Sequence, residues 1–156
     1  MLRPGGGAGI YYEAGEIMEY FIVVWSNIPH LGVEIGDSAF QTFWELLTLA
    51  LSMRRWCPIR AGLLFCGDNT GSLNMAISMK GTGLHGAVTR EISWRVARHR
   101  WSYAVAHLPS EHNKLADRLS RVRDPSLPEM TELPAALTGA AEVPINLADF
   151  WCVKPL

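Results

Sequence analysis

The spacing of apolar residues changes repeatedly along this chain, and that alternation limits the possible folds more than any single residue does. Ala8 to Tyr12 and Glu16 to Trp25 read as two strands joined at Ala14-Gly15. The second holds Tyr20, Phe21, Ile22, Val23, Val24 and Trp25, the aromatic and β-branched mix that a pleated surface favours. Ser26 to Asp37 reads as a loop containing Pro29, Gly32 and Gly36. The period then lengthens. Phe40, Phe43, Trp44, Leu47, Leu51 and Trp56 recur at helical spacing, with Ser38 as the expected N-cap and Pro58 as the stop.

Ala61 to Gly67 returns to a short apolar run, Leu63-Leu64-Phe65-Cys66, which predicts a buried central strand delivering Asp68 at its carboxyl end. Thr70 to Met79 predicts a short helix, broken by Gly81 and Gly83. Leu84 to Arg100 predicts a longer one with Val88, Ile92, Val96 and Ala97 inward and its arginines outward. Trp101 to Leu108 alternates as a strand, with Tyr103, Val105 and His107 on one face. A last helix near Asn113 carries Leu115, Ala116 and Leu119. The order implies an α/β fold, a mixed sheet flanked by helices. Past Arg121, Pro125, Pro128, Pro134, Pro144 and Pro155 interrupt the chain too often for long elements, so residues 122–156 read as an irregular proline-rich tail or linker, with one helical turn at Leu133 to Leu137. Residues 1–121 read as the domain.

Composition narrows the function classes. An apolar share of 49% fills a core, while a net charge of -1 argues against gripping nucleic acid by bulk charge alone. Arginines still cluster, at Arg54, Arg55 and Arg60 and from Arg90 to Arg100. Cys57, Cys66 and Cys152 show no zinc-type spacing and read as buried apolar residues of a reduced, intracellular protein, cytoplasmic or nuclear. The longest apolar stretch is too short to span a bilayer, and the N-terminus lacks a secretory pattern, so neither membrane nor export is expected.

Three acids stand out by position. Glu45 interrupts an apolar helix, Asp68 follows a buried strand, and Asp117 sits in the first turns of the last helix. Ligands of open α/β sheets bind beyond the carboxyl ends of strands, where Asp68 and His107 are expected. Clustered carboxylates need a cation, and oxygen ligands select Mg²⁺ or Mn²⁺ over zinc. Two such ions ~4 Å apart are a known device for phosphodiester hydrolysis. Taken singly, each acid has a plainer reading: a helix-edge residue, a turn and cap, a first-turn acid favoured by the helix dipole. The tryptophans Trp25, Trp44, Trp56, Trp94 and Trp101 read as core. The arginines from Arg90 to Arg100 read as a solvated face, with a grip on phosphates as the minor alternative.

Gly67-Asp68-Asn69-Thr70, with His107-Leu108-Pro109-Ser110-Glu111-His112-Asn113-Lys114-Leu115-Ala116-Asp117-Arg118-Leu119-Ser120-Arg121, resembles the ribonuclease H domain of retroelement reverse transcriptase polyproteins. Trp44-Glu45-Leu46-Leu47 upstream fits the same pattern. The resemblance covers about Pro4 to Arg121, and its final block is the most specific part. It implies that Glu45, Asp68 and Asp117 hold two Mg²⁺ or Mn²⁺ ions, and that His107, ten residues before Asp117, aids proton movement or product release. Asn69 and Asn113 are then substrate-binding. The implied activity is hydrolysis of the RNA strand of an RNA–DNA hybrid, read by shape and 2'-hydroxyl. The implied partner is a reverse transcriptase domain upstream in the same polyprotein.

One departure stands out. The family places an aspartate in its first strand just before a glycine-rich stretch. Counting back from Gly5, Gly6 and Gly7 puts that position at about Met1 or before it, where this sequence has no aspartate. Losing a residue that bridges both metals implies chemistry slowed by several powers of ten, from electrostatic terms of ~3 kcal/mol or more. The expectation is a truncated product or a start lying upstream. A second reading follows, a catalytically inactive binding or connection module that keeps the fold. A third, another nuclease or integrase of the same superfamily, is weakened by the His107 to Asp117 block.

Overall fold

The computed structural model describes residues 5–28, 31–33, 40–124, 127 and 132–151. The expected Ser38 cap and the Met1 region lie outside them, as does Cys152. The chain divides into two units, the first Met1–Gln41 with Asn113–Ile145, the second Thr42–His112 with Asn146–Leu156. Together they make an α/β protein.

In the first unit, β1 (Gly6–Glu13) and β2 (Glu16–Val24) form an antiparallel hairpin running from Gly6↔Val24 to Glu13↔Glu16. The turn falls at Ala14-Gly15, both at positive φ (51° and 80°), which suits the right-handed twist of a two-residue hairpin. A short β5 (Ala141–Glu142) adds to β2 in parallel, so the sheet is mixed, ordered β1-β2-β5. Tyr20 and Ile22 on one face of β2 pack with Leu119, Val122 and Leu137, while Phe21 and Val23 on the other face are also buried. Burial on both faces explains why β2 reads as a continuous apolar run rather than an alternation. Leu119 comes from α4 (Lys114–Arg121), which lies against β1 and β2. Residues past Arg121 therefore add a strand, the buried Leu137 and Val143, and a helical turn at Ala135–Leu137.

In the second unit, α1 (Gln41–Trp56) buries Phe43, Trp44, Leu46, Leu47, Ala50, Leu51, Met53 and Trp56. β3 (Leu63–Gly67) and β4 (Tyr103–His107) pair in parallel, in register from Leu63↔Tyr103 to Gly67↔His107. Between them run α2 (Thr70–Ser78) and α3 (Leu84–His99). The Tyr103 hydroxyl donates to the Ala76 carbonyl at 2.6 Å, fixing α2 over the strand pair.

Two expectations are corrected here. β3 is not buried on both faces: Phe65 is its one buried residue, Leu64 is 60% exposed and Cys66 is exposed. A two-stranded pair with a helix on one side leaves the other side open. On α3, Ala97 is exposed and Arg95 is buried. The Arg95 guanidinium lies 4.8 Å over the Phe150 ring and donates through Nη2 to the Phe150 carbonyl at 2.7 Å. Glu91, one turn back and also buried, stands 3.9 Å from the same nitrogen. An inward arginine is tolerated because its charge meets a carboxylate, a carbonyl and a ring face together.

Candidate functional site

The parallel register ends with Gly67 opposite His107, so Asp68 leaves β3 at the edge where β4 ends in His107. The two strands are tied past that point by the Leu108 N–H, which donates to the Gly67 carbonyl at 2.7 Å. His107 is exposed and Asp68 half-buried. A helical turn at Ser110–His112 follows, and the Ser110 hydroxyl donates to Asp68 Oδ2 at 3.4 Å. Ser110 was not singled out from the sequence, although it stands within the motif block.

Asn69 has a structural task. Its side-chain oxygen accepts from the Ser72 N–H at 2.9 Å, capping α2, and its Nδ2 donates to the Thr42 hydroxyl at 3.4 Å. Both ends of the amide are engaged within the chain. That second bond ties the β3–α2 junction to the first turn of α1. Glu45 is three residues beyond Thr42, on the same face of the helix. Glu45, Asp68 and His107 belong to one unit, in which the Asn69–Thr42 bond links the start of α1 to the β3–α2 junction, a contact that helical spacing alone does not reveal.

Asp117 and Asn113 belong to the first unit. Asp117 is exposed and pairs with Arg121 one turn on, Nη2 to Oδ2 at 3.1 Å. Its N–H donates to the Asn113 carbonyl at 3.1 Å. Asn113 occupies the N-cap position of α4 but makes no side-chain cap bond. His112 is exposed, its Nε2 3.9 Å from Glu111 Oε1.

The carboxylates of Asp68 and Glu45 have the hard oxygen chemistry that Mg²⁺ takes, and Mg²⁺ commonly needs only one or two protein carboxylates beside water and phosphate. Among the described residues, no three His, Cys, Asp or Glu side chains gather as a group that could hold a metal ion. The fit is right in kind and sparse in number. None of the described helices is long and apolar enough to cross a membrane.

Two tryptophans depart from the core reading: Trp94 is 40% exposed and Trp101 half-buried, whereas Trp25, Trp44 and Trp56 are buried. Compared with known proteins, the chain matches no protein family, no curated protein and no solved structure.

Proposed function

We propose that this chain is a ribonuclease H-like domain of a retroelement reverse transcriptase, acting on the RNA strand of an RNA–DNA hybrid at the carboxyl edge of β3 and β4. The observation that carries the reading is the parallel register, which sets Asp68 and His107 at one strand edge. The Asn69–Thr42 bond, which ties the β3–α2 junction to the first turn of α1, supports it. In this reading Asp68 and Glu45 would hold Mg²⁺ or Mn²⁺, whose charge would offset that of a scissile phosphate. His107, exposed beside Asp68, holds and moves a proton. Asn113, whose amide is not used as a cap, orients the substrate backbone, and the reverse transcriptase domain of the same polyprotein presents the hybrid.

The test is cleavage of a labelled RNA–DNA hybrid in Mg²⁺. Expected is slow cleavage that EDTA abolishes and that Asp68→Asn removes. Equal cleavage by the wild type and Asp68→Asn, or no interaction with hybrid at all, refutes the reading. A second reading, a module that binds hybrid without cutting it, is favoured by the lack of a three-ligand metal group among the described residues. Hybrid binding without Mg²⁺-dependent cleavage would select it.

A further inference from the structure

Between Asn69 and Ser110 the chain has one acid, Glu91, and five cations, Lys80, Arg90, Arg95, Arg98 and Arg100. Glu91 and Arg95 are buried, and the other four are exposed. In a protein of net charge -1, this stretch therefore shows solvent only positive charge. Arg90, Trp94 and Arg98 stand four residues apart on α3 and so form one exposed stripe. The Arg98 guanidinium lies 5.2 Å over the Trp94 ring. His99 meets Trp94 edge-on at 6.2 Å and stacks on Trp101 at 6.2 Å and 25°. The result is a row of three rings with the Arg98 guanidinium over the first of them.

The cations alone have a plainer explanation, since Arg98 and His99 complement the dipole at the helix C-terminus. That does not account for a tryptophan 40% exposed between two arginines, or for the rings continuing past the helix end. We propose that this surface is a stacking platform for a single-stranded polynucleotide. Bases offer π faces to Trp94 and Trp101 while the backbone phosphates meet Arg90 and Arg98. An acidic peptide would use the arginines and leave the rings idle. The platform is separate from the Asp68 edge. Trp101 precedes β4, and the five residues of that strand run about 15 Å before His107 is reached. It holds whether or not the nuclease reading does.

The experiment is fluorescence anisotropy of a short labelled oligouridylate at low salt in EDTA, so that cleavage plays no part. Expected is wild-type binding that Trp94→Ala weakens about tenfold and Trp94→Phe largely restores. Arg98→Gln should also weaken binding and lower the salt slope by about 0.7. Trp94 being exposed, circular dichroism should show each variant folded. Absence of wild-type binding, equal binding by Trp94→Ala, or equal affinity for an oligoglutamate would each overturn the proposal.

Discussion

Replacing Gly6 by alanine tests how α4 is seated. A Cβ at Gly6 would stand 2.4 Å from the Ser120 carbonyl oxygen and 2.9 Å from that of Val23. Both are backbone atoms, so no rotamer change relieves the overlap, and trimming the Ser120 side chain would not help. Since real Cβ atoms essentially never come within 3.0 Å of such a neighbour, the end of α4 must shift by more than half an ångström or β1 must yield. Overpacking of this kind costs about 1–3 kcal/mol, offset by roughly 0.4–1 kcal/mol from the stiffer unfolded chain. A net loss of about 1–2 kcal/mol lowers Tm by roughly 2–8 °C for a chain of this size. Gly5→Ala is the control, because its Cβ would meet only Trp25 Cδ1, at 3.5 Å. That variant should melt within about 2 °C of the wild type. Thermal and urea unfolding followed by circular dichroism measure both. If Gly6→Ala is as stable as Gly5→Ala, α4 does not lie on β1 as described and the close-approach reasoning fails.

Two further outcomes follow from burial and charge. Burial pushes the Cys57 thiol up to about 12, while Cys66 is exposed on β3. Iodoacetamide at pH 8 followed by peptide mapping should label Cys66 in the native protein and spare Cys57 until denaturant is added, and equal labelling would contradict the packing. In the first unit, Arg123 forms a forked pair with Glu142, the longer arm at 2.8 Å. The hydrogen bond from Arg123 holds the Glu142 carboxyl below its ordinary value. The carboxyl binds a proton less readily folded than unfolded, so the stabilisation is full above the ordinary glutamate pKa. It is lost as pH falls below that, through the lowered folded value. With both side chains partly in solvent the pair contributes about 0.5 kcal/mol. Glu142→Gln should show that deficit at pH 7 and none near pH 3 in urea unfolding. A deficit unchanged with pH would mean the charge is irrelevant.

The hairpin, the three longer helices and the strand ending at Gly67 were legible because each has a distinct apolar period and a glycine or proline stop. What the period could not carry was the side chosen by a residue against its type. Arg95 occupies an inward position on α3 because Phe150, more than fifty residues on, supplies a ring and a carbonyl there. No local pattern announces that partner. Leu64 is 60% exposed, and an apolar run reads the same whether one face of its strand is covered or both. At the site, Asp68 and His107 follow from strand order alone. The bond between Asn69 and Thr42 spans distant elements, and no local pattern predicts it.

The two asparagines of the motif show why chemistry and scaffold must be separated before any variant is interpreted. Asn69 caps α2 and anchors it to α1, so removing its amide costs about 1 kcal/mol of helix stability and loosens the face bearing Glu45, whatever it does to a substrate. Asn113 sits at the matching position of α4 with no side-chain cap bond, so its amide can be removed without that penalty. The same distinction applies to the acids. Asp117 is held by Arg121 in an exposed pair worth about 0.3–0.5 kcal/mol, too weak to keep a divalent cation away. Asp68 has only a long bond from Ser110 among the contacts described, at 3.4 Å, and is the less constrained of the two. Effects at Asn113 and Asp68 therefore test the proposed substrate and metal roles, whereas effects at Asn69 speak first to how α1, α2 and β3 are joined.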